Sequence, residues 1–382
     1  MSLCKACVLI VPIKIIVLIP NLHNGGAERV TANLVNHWAE KRWQITLVTF
    51  ASEKTDFYKL HASVERLALG LEGSGGNLIS VVYKNLCRIY ALRRVLSQRK
   101  PDIALSMMAL NNILLAFAAK GMPDLAIVGS ERTYPPQSPL GYFREWMRYW
   151  GYGWFSVITA NSSQSAEWLR KHTCARRIEI IPNALTWPLS IQQPCIEPPS
   201  WLKKHKILLA VGRLSEEKGF DLLTTVFGQL AGDFPDWVLV ILGEGADRDS
   251  LEKQIQNASL GGRILLPGHV GNIGRWYEIA DLFVMSSRFE GFPNSLVEAM
   301  AHGLAPVSFD CDSGPREIIR HEVDGLLVPP GDATAMEGAL TRLMQDEALR
   351  LQFSDKAKET RKRFSIDKIA AMWEKIFREI RA

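Results

Sequence analysis

The sequence lacks the signatures of several common protein classes. No G-x-G-x-x-G run opens a helix, which argues against a nicotinamide-dependent dehydrogenase. No Ser, His and Asp occur in an order that indicates a covalent catalytic triad, and no nucleic-acid recognition motif accompanies the basic segments. Of the six cysteines, Cys4 and Cys7 alone have metal-like spacing, and no second pair follows them. The sequence therefore predicts no zinc site, and it contains no motif that would support nucleic-acid binding.

Long hydrophobic runs are also missing. The most apolar stretch, residues 7–20, is interrupted by Lys14 and is too short to cross a bilayer. We interpret residues 13–19 as a buried first strand and the residues before them as an extension. Because we find no signal peptide, we expect a cytosolic protein with reduced thiols.

The 382 residues, 47% hydrophobic and 22% charged, suit two globular domains. The net charge of +5 is unevenly distributed: residues 1–200 hold 22 lysines and arginines against 13 acidic residues, and the remainder holds 23 against 27. A basic first half indicates an anionic partner, such as a membrane surface, a lipid phosphate or nucleic acid. The alternative is an ordinary uneven surface.

Short β-branched runs alternate with amphipathic ones, which predicts an α/β protein with parallel sheets covered on both faces. A Pro-rich linker at 183–205 separates two such series, so we expect two doubly wound, Rossmann-like domains facing across a cleft. We place their limits at 1–185, 186–205 (linker), 206–365 and 366–382 (a final helix). The predicted strands are 13–19, 45–50, 64–69, 103–107, 125–128, 157–159 and 178–180, then 207–211, 238–242, 264–266, 282–285, 306–309 and 326–328.

In each predicted domain, a glycine-containing turn follows the first strand. Gly212 to Gly219 comes directly after strand 207–211, and its Arg213 and Lys218 would fit a diphosphate. The alternative is a solvated loop in which these cations pair with neighbouring glutamates. Gly25 and Gly26 precede a helix predicted at 30–38, where backbone N–H groups can meet a phosphate or a sugar. We interpret 243–245 as a simple turn, and His23 and His269 as structural.

Two carboxylates flank a predicted helix N-terminus near the end of the chain. Glu290 would lie in a loop, and Glu298 on a helix that Asn294 or Ser295 caps and that stops at Gly303. This arrangement suits a phosphate at the helix N-terminus and sugar hydroxyls at the acids. The acid-x-acid pairs at 247–249 and 310–312 could hold a metal, but with two cations available for a diphosphate we expect no metal.

Two segments have the pattern of membrane-surface helices. Residues 84–100 form a basic amphipathic stretch, and 142–150 mix aromatic residues with arginine. The alternative for both is a helix packed on a sheet. The cations that would contact lipid headgroups or the acceptor are Lys84, Arg88, Arg93 and Arg94.

Five motifs together resemble the retaining glycosyltransferases of family 4, which have the GT-B fold. The resemblance runs from about residue 13 to the end, and the motifs occur in the family's order: G-G-A-E-R, G-R-L-S-E-E-K-G-F, S-S-R-F-E-G-F-P-N-S-L-V-E-A-M-A-H-G, S-G-P-R-E-I-I and D-G-L-L-V-P-P-G-D. It implies a UDP-sugar donor on the second domain, an acceptor on the first, no cofactor, and a final helix that returns to the first domain.

The resemblance also implies residue roles. Arg213 and Lys218 would hold the diphosphate and stabilise the departing UDP. Glu290 would contact donor sugar hydroxyls, and Glu298 the ribose. Gly25 and Gly26 would lie against the phosphate or the acceptor. The remaining donor-loop positions are Gly291, Phe292, Pro293, Asn294 and Ser295.

One position departs from the family pattern. Many relatives carry a histidine after the fifth strand, where this chain has Arg132 within S-E-R. That form resembles a branch that builds O-antigen and exopolysaccharide precursors on undecaprenyl diphosphate at the inner face of the bacterial inner membrane. Arg132 would contact sugar or acceptor phosphate. By analogy we expect transfer of N-acetylgalactosamine, or else galactose, to an N-acetylhexosaminyl-diphospho-undecaprenol through an α linkage. A UDP-sugar epimerase of the same fold, or a nucleotide-sugar-binding protein without turnover, are the alternatives.

Overall fold

Two parallel β-sheets, each with helices on both faces, make up the protein. The computed structural model describes residues 13–73 and 76–381, so Cys4 and Cys7 lie outside the described residues. The first sheet has the order β3-β2-β1-β4-β5-β6-β7. Its strands are β1 (Lys14–Leu18), β2 (Gln44–Thr49), β3 (Glu65–Ala68), β4 (Ile103–Met107), β5 (Ala126–Glu131), β6 (Val157–Ala160) and β7 (Ile178–Ile180).

The second sheet repeats this topology with one strand fewer, in the order β10-β9-β8-β11-β12-β13. Its strands are β8 (Lys206–Val211), β9 (Trp237–Leu242), β10 (Ile264–Gly268), β11 (Leu282–Met285), β12 (Pro306–Phe309) and β13 (Leu326–Val328). Every strand predicted from an apolar run is present, and the predicted fold class is confirmed. β5 continues three residues beyond its predicted end because Gly129, Ser130 and Glu131, although not apolar, remain paired with neighbouring strands and buried.

Fourteen α-helices connect and cover the strands in the described part of the chain. In the first half they are α1 (Gly26–Glu40), α2 (Leu78–Arg99), α3 (Ala109–Ala119), α4 (Tyr142–Gly151) and α5 (Ser163–His172). In the second half they are α6 (Phe220–Leu230), α7 (Arg248–Asn257), α8 (Ile273–Ile279), α9 (Asn294–Ala301), α10 (Pro315–Ile318), α11 (Ala333–Gln345), α12 (Glu347–Ala357), α13 (Thr360–Arg363) and α14 (Ile366–Arg381).

The last helix, α14, packs on the first sheet although it ends the chain. Its buried side chains, including Trp373 and Phe377, share a core with Val17 on β1 and Trp38 on α1. The chain crosses back beside the linker, where Leu185 N–H donates to the Phe364 carbonyl at 2.7 Å. The first domain is therefore built from both ends of the described chain.

Strand order reverses at the same place in both sheets, between β1 and β4 and between β8 and β11. Open α/β sheets bind ligands beyond the carboxyl ends of the strands at such a reversal. The loops that follow β1, β8 and β11 are the ones that carry the motifs singled out in the sequence.

Candidate functional site

A cleft of about 520 Å³ lies between the carboxyl ends of the two sheets. Residues of both domains line it, and they include most of the positions selected from the sequence: Gly25, Gly26, Arg213, Lys218, Glu290, Phe292, Pro293, Asn294, Ser295 and Glu298. The topology thus brings together three loops that are up to 270 residues apart in the sequence. A second depression, of about 600 Å³, lies at the opposite ends of β1, β2 and β3.

Glu290 is held in the loop after β11. Its Oε1 accepts a hydrogen bond from Ser287 Oγ at 2.7 Å and lies 2.6 Å from Lys218 Nζ. The Glu290 side chain is 11% exposed, so the ion pair is shielded from water and its geometry is fixed by two neighbours. A donor sugar in the cleft would meet an oriented carboxylate, with a cation beside it for the phosphate.

Arg213 remains largely in solvent. Its side chain is 72% exposed, and its guanidinium lies 3.7 Å from Glu217. The alternative of a solvated loop, in which cations pair with neighbouring glutamates, therefore describes Arg213. It does not describe Lys218, which pairs with Glu290. An exposed arginine at the rim of a cleft is free to turn towards an incoming phosphate at small cost.

The turn at Gly243 contributes to the cleft. The sequence pattern predicts only a simple turn at 243–245. A Cβ at this glycine would come within 1.8 Å of the Gly212 carbonyl oxygen, and its φ is +149°. Only glycine permits the ends of β8 and β9 to approach this closely. Both glycines line the cleft and leave it open to a ligand.

The N-terminus of α1 holds a carboxylate of its own chain. Helix α1 begins at Gly26, and a Cβ at Gly25 would lie 2.1 Å from Oε2 of Glu28. Burial raises the pKa of the Glu28 carboxyl, and hydrogen bonding to its backbone acts in the opposite direction. Tyr58 Oη donates to the Gly25 carbonyl at 3.0 Å. A phosphate or acceptor group at these glycines would therefore share the helix N-terminus with Glu28.

Glu298 lies about one turn into α9 and meets a residue of the other domain. Its Oε1 accepts a hydrogen bond from Arg29, on the first turn of α1, and its Oε2 lies 3.4 Å from Tyr277 Oη. Burial raises the pKa of the Glu298 carboxyl, and Arg29 acts against that change. Arg29 lies within the G-G-A-E-R motif, but no local pattern in the sequence indicates its partner.

The expected cap of α9 is wrong. The helix begins at Asn294 itself, with Pro293 at the N-cap position and no side-chain cap. Because Asn294 is already helical, its side chain points across the cleft instead: Nδ2 donates to the Gly26 carbonyl at 3.4 Å, and Oδ1 accepts from Asn183 at 2.9 Å. Ser295 contributes its carbonyl, which accepts from Tyr277 Oη at 3.2 Å.

The glycine and phenylalanine of the donor loop have packing roles. A Cβ at Gly291 would lie 2.6 Å from the Arg132 carbonyl oxygen, so this glycine lets the loop touch the first domain. Phe292 is buried and packs edge-on against Phe364, with ring centroids 5.6 Å apart. These contacts fix where the loop lies relative to Glu290.

Two family models match the chain, one for each domain. Residues 24–186 match the model described as Glycosyltransferase Family 4, and residues 196–360 match Glycosyl transferases group 1. Together they cover most of the sequence. The chain belongs to the family 4 glycosyltransferases.

Individual relatives and structures are similar to this glycosyltransferase. A Campylobacter jejuni α-1,4-N-acetyl-D-galactosaminyltransferase acting on a diphospho-undecaprenol-linked saccharide is 25% identical over 96% of this chain and 99% of its own. An exopolysaccharide phosphotransferase of Streptomyces coelicolor is 35% identical over 59% of this chain, and the match spans only 23% of that protein. The structure of Anabaena HepE with UDP and glucose has a TM-score of 0.76 at 18% identity, covering 96% of this chain and all of its own.

Arg132 of the glycosyltransferase does not face the cleft. It is 8% exposed, donates to Asn183 Oδ1 at 2.8 Å and lies over the Trp373 ring at 5.5 Å. Burial lowers the pKa of Arg132 to about 10. The expectation of a direct sugar or phosphate contact is therefore not met, because the linker and α14 enclose the guanidinium. Through Asn183 it reaches Asn294, at the start of α9.

The basic helix of the glycosyltransferase, α2, uses part of its charge internally. Arg88 donates to the carbonyls of Leu71 and Gly73, and Arg93 to those of Ala118 and Lys120. These two arginines hold neighbouring loops, so they are poor candidates for lipid contacts. Arg94 is exposed, and Lys84 has contacts of its own within the protein.

Apolar side chains, rather than arginines, dominate the outer faces of α2 and α4. Neither these helices nor any other in residues 13–73 and 76–381 is both long and apolar enough to cross a membrane. On α2 the exposed row has helical spacing: Ile79, Val82, Tyr83, Leu86 and Tyr90. On α4 and just after it the exposed rings are Tyr142, Phe143, Trp146, Tyr149, Trp150 and Trp154.

Several residues around the cleft have no signal in the sequence. Arg29 binds Glu298, and Tyr58 donates to the Gly25 carbonyl. Asn183 connects Arg132 with Asn294, and His269 Nε2 lies 2.8 Å from the Asn24 amide. His269 was interpreted as structural, and this contact between domains is a structural one. No local pattern could identify these residues, because each acquires its role from a partner far away in the chain.

Proposed function

We propose that the protein is a retaining hexosyltransferase that uses a UDP-sugar donor and a lipid-diphosphate-linked acceptor in bacterial surface polysaccharide synthesis. The observation that carries the proposal is the Lys218–Glu290 ion pair, 2.6 Å long, at the strand reversal of the second sheet. It places one cation and one oriented acid side by side, in a cleft whose opposite wall is the N-terminus of α1.

The donor half of the reaction follows from these charges. Lys218 and, after a side-chain rotation, Arg213 would balance the charge that develops on the diphosphate as the glycosidic bond breaks. Glu290 would accept hydrogen bonds from the donor sugar, and Glu298 from the ribose. Because the two cations can neutralise the leaving group, we propose that catalysis needs no metal.

The contacts of Glu290 indicate whether this carboxylate could attack the donor sugar covalently. Its Oε1 is engaged by Lys218 and Ser287, which disfavours a role as the covalent nucleophile of a double displacement. The resemblance to the retaining enzymes of family 4 implies that the configuration at the anomeric carbon is kept. Retention without a covalent nucleophile requires the acceptor hydroxyl to attack on the face from which UDP leaves. The bond from the anomeric carbon to the UDP oxygen breaks as the new bond forms, the donor phosphate takes the acceptor proton, and an α-configured UDP-sugar gives an α linkage.

Two observations support a proposal for the acceptor and for the cellular location: the exposed apolar surfaces of the first domain and the substrate of a similar protein. The exposed aromatic side chains of α4, such as Trp146, and the apolar row of α2 suit a membrane interface. The Campylobacter relative acts on a diphospho-undecaprenol-linked saccharide. By analogy we propose an N-acetylhexosaminyl-diphospho-undecaprenol acceptor, N-acetylgalactosamine or galactose as the transferred sugar, and binding at the inner face of the inner membrane.

Product analysis by mass spectrometry tests the proposal. Purified protein would be incubated with a synthetic N-acetylgalactosaminyl-diphospho-lipid, EDTA and one of UDP-GalNAc, UDP-Gal, UDP-GlcNAc or UDP-Glc. We expect a mass increase of one sugar with one donor. Interconversion of UDP-sugars without any acceptor would instead identify an epimerase. UDP binding without either product would indicate a nucleotide-sugar-binding protein.

A further inference from the structure

The two domains are joined across the cleft by one salt bridge among the described residues, between Arg29 and Glu298. Arg29 belongs to α1 and Glu298 to α9, 269 positions later in the chain. The other contacts across the cleft are uncharged or pair one charge with a neutral group, such as Asn24 with His269 and Ser162 with Ser313. Among the described residues, this is therefore the place where opposite charges of the two domains are in direct contact.

Glu298 depends on that partner because its own domain offers it no cation. The carboxylate is 6% exposed, and within the second domain its described side-chain partner is the Tyr277 hydroxyl at 3.4 Å. Burial of an unpaired carboxylate is costly, and it favours the protonated form. Arg29 supplies the opposing charge from the first domain and fixes the direction in which Oε1 points.

The remaining capacity of the carboxylate fits a ribose. Two carboxylate oxygens offer about four acceptor positions. Arg29 takes one and Tyr277 approaches another, which leaves room for two hydroxyl donors. Vicinal hydroxyls, such as the 2′ and 3′ groups of a ribose, are spaced to use both.

We propose that Arg29 is a positioning residue for the donor nucleotide: from the acceptor domain, it keeps Glu298 charged and oriented to receive the ribose hydroxyls. The inference rests on the proposed function of Glu298 and extends it to the other domain. It follows that tight recognition of the ribose requires the two domains to be in contact, so donor affinity depends on the closed arrangement of the cleft.

Calorimetric titration with UDP and with 2′-deoxy-UDP tests this coupling. Arg29→Met keeps much of the side-chain bulk but removes the charge. We expect it to weaken UDP binding about tenfold, the equivalent of one charge-assisted hydrogen bond. We expect a smaller loss for 2′-deoxy-UDP, which lacks one hydroxyl, so the ratio of the two affinities falls. Arg29→Lys, which keeps the charge, should restore much of that ratio.

The matched variants separate this role from a structural one. Arg176→Met removes an exposed arginine of the same domain and should leave both affinities unchanged. In a Glu298→Gln background, Arg29→Met should add little further loss of UDP affinity, because the carboxylate that Arg29 orients is no longer present. An equal loss for both nucleotides, with a lowered unfolding temperature, would mean that Arg29 only holds the domains together.

Two further outcomes would overturn the proposal in different ways. If Arg29→Met binds UDP as well as the unmodified protein or more tightly, while Glu298→Gln binds it weakly, the ion pair competes with the ribose and the positioning role is wrong. If Glu298→Gln leaves the UDP to 2′-deoxy-UDP ratio unchanged, Glu298 is not the ribose contact, and the assignment of the donor site itself fails.

Discussion

At the scale of single residues, three acids in or beside the cleft differ in what holds them. Glu290 is fixed by Lys218 and Ser287 of its own domain, whereas Glu298 is fixed by Arg29 of the other domain. Glu28 lies over the backbone of Gly25. Each carboxylate is therefore preorganised by neighbours before any ligand arrives, which lowers the reorganisation that a bound donor would require.

Replacement of Glu290 by glutamine tests the donor contact. The amide has nearly the same shape but cannot pair with Lys218 as a charge, and it accepts hydrogen bonds more weakly. We expect kcat to fall by about two to three orders of magnitude in a protein that still folds, with a lowered unfolding temperature because Lys218 loses its charged partner. Steady-state assays at saturating donor measure this, with Glu337→Gln on α11 as the control. Near-normal turnover would remove Glu290 from the donor site.

The two cations of the loop after β8 should contribute unequally to UDP binding. Lys218→Ala also leaves the shielded Glu290 without its partner. Arg213→Ala removes a side chain that is 72% exposed and breaks only its solvated pair with Glu217. With both cations removed, we expect the free energy of UDP binding to become about 3–6 kcal/mol less favourable, because two charge-assisted contacts are lost. Calorimetry on the single and double variants measures this. Unchanged affinity in the double variant would contradict the diphosphate assignment.

At the scale of elements, α4 joins an exposed aromatic face to a buried ionic anchor. Arg148 is 1% exposed, lies 3.7 Å from Glu131 at the end of β5, and packs over the Trp168 ring at 4.5 Å. Glu131 also accepts a hydrogen bond from Tyr152. The helix is thus attached to the sheet through polar groups on its inner side, while its outer side presents rings to solvent. This pattern favours docking on a surface over packing within the domain.

Loss of the aromatic rings of α4 should weaken membrane binding. Phe143 and Trp146 are stacked, with centroids 6.2 Å apart, and both are more than half exposed. Because their apolar area would be buried in the interface, the double change Phe143→Ser and Trp146→Ser should weaken binding to anionic vesicles about tenfold or more. Co-sedimentation with phosphatidylglycerol vesicles measures this, and Trp201→Ser, an exposed tryptophan of the linker, is the control. Equal binding by the two variants would argue against α4 as the membrane contact.

At the scale of the whole molecule, the first domain is completed by the end of the chain. Helix α14 adds Trp373 and Phe377 to a core that includes Trp38, and the Trp38 and Phe377 rings are 5.5 Å apart. Trp373 also lies over Arg132, whose partner Asn183 contacts Asn294 in the second domain. The position of α14 is therefore connected to the donor loop through a short series of contacts.

Truncation of Phe377 should destabilise the protein strongly. The ring is fully buried between α14, α1 and the chain after α1, so Phe377→Ala leaves a cavity. We expect a loss of about 3–5 kcal/mol in the free energy of unfolding of the first domain. Urea titrations followed by tryptophan fluorescence measure it. Lys375→Ala, exposed on the same helix, should change stability by less than about 0.5 kcal/mol, and a similar cost for both would place α14 outside the core.

The sequence by itself determined the elements, their order and the class of the fold. Strands such as β1 and β8 are continuous apolar runs, and their alternation with amphipathic segments is a local property of the chain. The loop that holds Glu290 and the glycines of the first turn were likewise found from spacing, because turn chemistry depends on neighbouring residues. The motifs then identified the family.

Only the tertiary structure decided which side chains act together. Arg132 was expected at the donor and is enclosed by α14; Arg88 was expected at lipid headgroups and binds the chain's own carbonyls; Arg29 had no assignment and is paired with Glu298. The physical reason is common to all three. A long cationic side chain pairs with the group that folding brings within hydrogen-bond reach. The Leu71 carbonyl lies 17 residues from Arg88, Asn183 lies 51 from Arg132 and Glu298 lies 269 from Arg29, so the sequence around each arginine does not reveal its partner.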